Sequence, residues 1–529
     1  MFHEGTGYPR VAHHRRDPAI ATVLTVVFLV AVFVACLYLS MLKVLYPDQH
    51  DEEQFVAPAK LLATKGLLPY ADCPYLHTPN LVFASALVMR LTDYVLLPAR
   101  LLSVAFAFAL LALLFFVARQ SFRDRAPMPR FLIAAGAVLL LLASPLQNHT
   151  TGRAWNHDMP MFLAVLAFVL HGGAVKRRKR ALMLFLSGLC LGAAITTRIS
   201  FVALPVPFLA VLFFTKEPGG MRARLPSLFA PHVAGLIVAA LPTLVLFALS
   251  PARFWYGNVT YHMLEVSWLR ELGKPSQLTL LQKLAYAVRV FAEPGNWLPI
   301  AGFLGFAWLP AIVRDRERFE RRFEVIFVYL LLPFVLVGSF APSPIFRQYL
   351  YAPLPFVAFG IVSVIASMRT DQRVQRRALR WLAALVIACC AYWLVKLPIA
   401  QWAYYTRHWE PLRAHAAGLE IRDHVGGGKV LTLAPILPLE GGLDIYPEFA
   451  SGPFAWRSAH LLPEAQRDEL GLVYAGNLDA FLEKDPPAAV LVGFETRFGL
   501  EDALIEYART HGYTPVDLEY GGTLWIAPK

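Results

Sequence analysis

Apolar residues in this chain come in long uninterrupted runs, with polar residues confined to the short stretches between them. The runs reach roughly 17 to 25 residues, the length a helix needs to cross a bilayer. They fall near residues 19–45, 80–97, 98–118, 131–146, 158–174, 181–196, 199–214, 230–250, 297–313, 323–340, 349–367 and 381–399. The pattern predicts a polytopic α-helical membrane protein of about 11–12 apolar helical segments. The first run is too long for a signal-peptide core and reads as an uncleaved signal anchor. Residues 80–118 are ambiguous. "VMRLTDY" (Val88–Tyr94) puts Arg90 and Asp93 at a junction where charge in lipid is expensive, so 80–92 either crosses or lies in the interface ahead of one true span.

Past Gln401 the pattern changes. Short strand-like runs ("KVLTLAP", "AAVLVGF", "GTLWIAP") alternate with amphipathic stretches such as "GLEDALIEYARTHG". The alternation predicts a small α/β domain. The division expected is a membrane-embedded domain over 1–400 and an extracytoplasmic, accessory α/β domain over 401–529. "HVGGGKV" (His424–Val430) resembles a phosphate loop, but no helix follows it, and a helix cap turning into a strand is the better reading.

Composition agrees with a membrane protein: of 529 residues 57% are hydrophobic and only 16% charged, against about a quarter charged in soluble domains. The net charge of +12 is less informative than its placement. Basic clusters at Arg10–Arg16, Arg119–Arg130, Lys176–Arg180, Lys216–Arg224, Arg314–Arg322 and Arg369–Arg380 flank the apolar runs, as cytoplasmic loops do. They put the N-terminus in the cytoplasm of a cell bounded by this plasma (inner) membrane. His50–Asn80, Gln147–His157, 251–296, 341–348 and everything after Gln401 then lie outside. No basic cluster is interleaved with aromatics on a soluble patch, which argues against nucleic acid. Of the five cysteines, four sit in apolar runs and only Cys73 in a polar loop, so neither a disulfide framework nor metal spacing is present.

Candidate chemistry concentrates in the outward stretches. "HDEEQFVAPAKLLATKGLLPYADCPYLHTPN" (His50–Asn80) carries Asp51, Glu52 and Glu53 at its start and Asp72 and His77 near its end. Phe55, Ala59 and Leu62 share a helical face and Gly66 is a plausible stop, so an amphipathic helix on the membrane surface would hold Asp51 at its N-terminus. The acids then serve either as helix caps and dipole partners or as catalysts. "QNHTTGRAWNHDMPMFLAV" (Gln147–Val165) brings Arg153, His157 and Asp158 to the mouth of a span, where Asp158 caps a helix or works as a second acid. One carboxylate can take a proton from an acceptor hydroxyl. The other can orient the acceptor or, should a divalent cation take part, hold it together with Asp51. "SPIFRQYLYAPLPFVAFG" (Ser343–Gly360) places Arg347 and Tyr349 just outside another span. Arg347 is either a bidentate phosphate fork or a snorkelling interfacial residue. Arg198, in "AAITTRISF", is a weaker candidate of the same kind.

These pieces, in this order and on these sides, resemble the integral-membrane C-type glycosyltransferases, in particular the bacterial branch similar to protein O-mannosyltransferases and lipid A aminoarabinose transferases. The resemblance rests on Asp51–Glu52 after the first span, "KGLLPYAD", "HTPN", Asp158, "GLCLGAAITTR" and "RQYLYAPLP", and covers roughly residues 20 to 400. It implies inverting transfer of a sugar from a polyprenyl-phosphate carrier to a lipid, polysaccharide or protein hydroxyl at the outer face. Carried over by position, Asp51 is the general base with Glu52 beside it, and Asp158 the second acid. Arg347, with Arg198, faces the donor phosphate. Asp72, His77, Arg153, His157 and Tyr349 line the acceptor side or pocket. His77 and Asn80, and Gln348 within Arg-Gln-Tyr, depart from the usual pattern. The rival class is a transporter or flippase of a lipid-linked saccharide, which would show internal repeats and ionisable groups at mid-membrane.

Overall fold

The computed structural model describes residues 17–45, 50–174, 180–215, 220–274, 278–312, 323–368, 372–396 and 409–528. The basic clusters at 10–16 and 314–322, and parts of those at 176–180, 216–224 and 369–380, lie outside them. Among the described residues five helices are long and apolar enough to cross a membrane: Pro18–Met41, Leu96–Ser121, Gly220–Leu249, Arg347–Ser367 and Gln372–Lys396. Shorter apolar helices, among them Pro127–Leu142, Asp158–Ala174, Arg180–Ile195, Ile199–Phe214 and Val325–Phe340, pack between them. Asn80–Met89 has 10 residues and at 1.5 Å per residue rises about 15 Å, half of a hydrocarbon core. The full-length helix of this region is Leu96–Ser121, with Arg90 and Asp93 in the bend before it.

Where two helices must approach closely, glycine permits it. A Cβ on Gly188 would lie 1.9 Å from the His232 carbonyl oxygen, and one on Gly235 would lie 2.1 Å from that of Phe185. The Arg180–Ile195 and Ala230–Leu249 helices therefore run backbone against backbone, the small-residue contact expected where lipid offers no hydrophobic drive to association.

The C-terminal domain is built on a five-stranded sheet of order β2-β1-β3-β5-β4. Its strands are β1 (Lys429–Thr432), β2 (Asp444–Ile445), β3 (Ala489–Val492), β4 (Thr514–Asp517) and β5 (Thr523–Ile526). β1 pairs in parallel with β2 and β3, with Leu431 opposite Val490, while β5 pairs antiparallel with β3 and β4. The helix Glu410–Val425 ends at Gly426, whose φ of 74° only glycine takes without strain, and the chain turns directly into β1. "HVGGGKV" is a cap and a turn.

This domain is seated on the membrane part by buried carboxylates. Glu440 accepts the amides of Val95 (3.1 Å) and Leu96 (2.7 Å) at the N-terminus of the Leu96–Ser121 helix, where the helix dipole favours an anion. Glu410 accepts from the Leu45 amide (2.9 Å) and the Tyr520 hydroxyl (2.6 Å). Glu53 accepts the Ile436 amide at 3.0 Å. The helix Glu53–Lys65 is consequently not a surface amphipath: Glu53 through Leu61 are all buried, because the C-terminal domain covers the face expected to meet lipid headgroups. The segment after Pro251, which the sequence reading put on the membrane surface, packs the same way. Tyr256 and Tyr261 join Leu76, Phe454 and Ala459 in one apolar cluster, and Trp268 is buried beside them, whereas Trp255 and Trp297 stay exposed.

Candidate active site

A short helical turn, His50–Glu52, leads into the Glu53–Lys65 helix. That turn is fixed by Glu52. Its carboxylate is fully buried and meets Arg100 edge to edge, with Nε 3.0 Å from Oε1 and Nη2 2.5 Å from Oε2. The Ala154 amide donates to the same Oε1 at 2.6 Å, and Arg153 Nη1 stands 4.0 Å away. Burial pushes this carboxyl up, but Arg100, Arg153 and the Ala154 amide more than offset it, so Glu52 stays below the usual carboxylate range. Arg100 in turn donates to the carbonyls of Ser40 (3.1 Å) and Lys43 (2.6 Å), tying the end of the first span to the turn.

Asp51, next along, is different. It is half-buried, and among the described residues its carboxylate has neither hydrogen-bond nor ion-pair partner. Burial pushes it up to about 6, with Arg457 and Arg153 pulling down and Glu265 and Glu52 pushing up. The resulting acid is ionised at neutral pH and more basic than an ordinary aspartate.

Asp158 does not stand open at a mouth. It is 2% exposed and its Oδ2 accepts the Gly152 amide at 2.7 Å, closing the loop Gly152–His157 onto the start of its helix. Gly152 has φ 81°, and a Cβ there would meet the Ser40 Cβ at 2.6 Å. Asp51 and Asp158 thus serve separate neighbourhoods. Among the described residues no group of three or more His, Cys, Asp and Glu side chains is placed to hold a metal ion.

A cleft opens around Tyr349, whose hydroxyl feels the charge of Asp51. Its lining is mixed, with Arg198, His157, Ser200, Gln348 and Tyr349 polar and Met161, Phe201, Leu204 and Val335 apolar. Arg198 is oriented by Ser200 Oγ (2.9 Å), Asn156 Oδ1 (2.9 Å) and His157 Nε2 (3.0 Å), and its guanidinium lies over the Tyr349 ring, 4.7 Å from the centroid. His157, in contact with Arg198, also stacks with the Tyr349 ring, their centroids 6.0 Å apart. Burial and the charge of Arg198 hold His157 neutral, while Arg198, lowered by burial to about 10, remains a cation at neutral pH.

The other expected residues divide. His77 stacks on Phe55 at 4.9 Å and faces His262 at 5.7 Å, held neutral by burial. Arg153 is buried beside Glu52, with its guanidinium 5.1 Å from the Trp155 ring centroid. Arg347 is half-exposed, and its Nη2 is bound to Glu293 Oε2 at 2.5 Å, so part of its fork is taken. Asp72 belongs to no pocket: it is exposed and accepts the Leu68 amide at 2.7 Å, capping a local turn. Sequence reasoning missed Arg100, Arg457, Glu265 and Glu293. An arginine inside an apolar run was a usable sign for Arg100. Arg457 and Glu265 are 192 positions apart and carry no local signature.

The model of the family described as dolichyl-phosphate-mannose-protein mannosyltransferase matches residues 76–246. ArnT from Cupriavidus metallidurans in the apo state superposes with a TM-score of 0.63 at 14% identity, covering 96% of this chain and 100% of that one. The chain has the fold of an integral-membrane C-type glycosyltransferase. ArnT from the same organism bound to undecaprenyl phosphate gives a TM-score of 0.61, with the same identity and coverage. Among curated proteins, none matches this sequence. In this glycosyltransferase fold the C-terminal sheet is part of the shared architecture, since the match to ArnT runs almost the full length of both chains.

Proposed function

We propose that the protein is an inverting glycosyltransferase that moves a sugar from a polyprenyl-phosphate carrier to a hydroxyl acceptor at the outer face of the membrane. Its N-terminus is cytoplasmic and its C-terminal domain lies outside. The observation that carries this reading is a half-buried Asp51, without hydrogen-bond or ion-pair partner among the described residues, together with a cleft lined by the Arg198 cation and by apolar side chains. A lipid-linked phosphate needs both: apolar surface for its chain and a charge-assisted hydrogen-bond donor for its head. The relative that binds undecaprenyl phosphate supports the same class of donor.

In this reading Asp51 takes the proton from the acceptor hydroxyl as its oxygen bonds to the anomeric carbon. The bond from that carbon to the phosphate oxygen breaks on the opposite face, and polyprenyl phosphate leaves as an anion. One carboxylate suffices, because phosphate needs its charge neutralised and not a proton; glycoside hydrolysis, by contrast, uses two. Arg198 is assigned to the donor phosphate, with Arg347 available if Glu293 releases it. Glu52 is assigned to positioning, since Arg100 and the Ala154 amide occupy it. Asp158 is assigned to closing its loop. The ionisable groups gather at one end of the helices, which supports a transferase over a transporter or flippase. The deciding experiment is Asp51→Asn, assayed with purified polyprenyl-phosphate sugar alongside a folding control. Near-complete loss is expected, and retained activity would refute the assignment.

A further inference from the structure

We propose that Arg457, supplied by the C-terminal domain, is a positioning residue for transfer at Asp51; this rests on the reading of Asp51 as the base. Arg457 lies in the short helix Pro453–Ala459. Its guanidinium takes both oxygens of Glu265, Nη2 at 2.6 Å and Nε at 3.0 Å. Nη2 also reaches the Tyr261 hydroxyl at 3.2 Å, and that hydroxyl donates to Glu265 Oε2 at 2.9 Å. The rings of Trp268 and Phe454 stand 4.7 and 4.5 Å from the guanidinium carbon. Arg457 is thereby held by charge, fork geometry and two aromatic faces at once, with about a tenth of its side chain exposed. Such a fork is far better oriented than a lysine would be.

The contact is a three-way junction. Glu265 belongs to the outer helix Tyr261–Glu271, Arg457 to the C-terminal domain, and the third party is the catalytic turn. Gly452, the residue before the Arg457 helix, abuts Glu53: a Cβ on Gly452 would lie 3.1 Å from that of Glu53, two residues from Asp51. The Arg457 helix therefore starts against the turn that carries Asp51 and ends by clasping the outer helix. The charged and titratable groups facing Asp51 are Arg457, Arg153, Glu265, Glu52, Tyr349 and Glu495, of which Arg457 exerts the largest pull. The same pair that fixes the outer helix also sets the field at the base.

This dual position makes opposite predictions for the two partners. Removing a cation from beside a carboxylate raises its pKa, and removing an anion lowers it. In full-length protein in detergent or vesicles, using the polyprenyl-phosphate sugar found active in the Asp51 test, the acidic limb of kcat/KM is followed against pH. Arg457→Gln should move the limb to higher pH by about half a unit or more. Glu265→Gln should move it to lower pH. Both should reduce kcat more than they change the KM for donor, and Arg457→Lys should restore the limb while recovering only part of kcat. A purely structural clasp would lower activity in both variants without moving the limbs apart. Limbs that stay put, or move together, in folded variants overturn the proposal. Should Arg457→Gln fail to fold, Arg457→Lys and Glu265→Gln decide it. An inactive Asp51→Asn with unmoved limbs refutes only this inference, whereas an active Asp51→Asn removes the reading beneath it.

Discussion

Arg100→Met tests the buried pair that fixes the turn carrying Asp51. Arg100 and Glu52 are both fully buried and joined by two charge-assisted hydrogen bonds of 3.0 and 2.5 Å. Methionine fills part of the volume but leaves Glu52 as an uncompensated buried charge, with only the Ala154 amide at 2.6 Å and Arg153 at 4.0 Å beside it. It also releases the carbonyls of Ser40 and Lys43 from Arg100. Breaking one partner of a buried pair costs about 3–5 kcal/mol, so the variant should unfold at markedly lower denaturant. Arg100→Met combined with Glu52→Leu removes both charges. What then stays unpaired is the Ala154 amide and two carbonyls, at about 1–3 kcal/mol for an unsatisfied buried group. The double variant should therefore be more stable than Arg100→Met alone, by about 1–3 kcal/mol if the buried charge is the dominant cost. The assay is denaturant unfolding in detergent, read by intrinsic tryptophan fluorescence, with transfer activity on the same samples. Equal stability of wild type and Arg100→Met would refute the reasoning, as would a double variant no better than the single.

Four further outcomes follow from the site and the topology. Asp51→Asn should lower transfer by about a hundred- to ten-thousand-fold. In the wild type, activity should fall as pH drops through about 6, where burial places the Asp51 carboxyl and protonation disarms the base; this is read from kcat/KM against pH. Arg198→Ala should raise the concentration of donor needed by about tenfold or more, one charge-assisted hydrogen bond being worth about 1.5–3 kcal/mol. Arg198→Lys should fall between, and Arg347→Lys should cost less than either if Glu293 holds that side chain away from the donor; steady-state kinetics at varied donor measure all three. Single cysteines at Gly273 and Gly476 of a cysteine-free variant should react with an impermeant thiol reagent from outside, and one at Arg123 should not; the reverse pattern would invert the site.

The long apolar runs determined most of the membrane architecture by themselves. A bilayer demands continuous helix of a given length, and that demand is local, so the spans could be read off one stretch at a time. The strand-like runs after Gln401 announced the α/β domain for the same reason, and Asp51 was legible as an acid set where a span ends. What tertiary structure decided is which acid is free. Asp51, Glu52, Glu53 and Asp158 are chemically interchangeable in the sequence. Only the fold brings Arg100 to Glu52, the Ile436 amide to Glu53 and the Gly152 amide to Asp158, leaving Asp51 alone. The same holds for the arginines, since Glu293 meets Arg347 across 54 positions while Arg198 turns into the cleft. Burial, partner charge and orientation set a side chain's chemistry, and all three come from residues far away along the chain. The C-terminal domain shows this most plainly: it read as an appendage, yet its Arg457 clasps Glu265 and its Glu440 holds the start of the Leu96–Ser121 helix, because a fold joins positions that no local pattern connects.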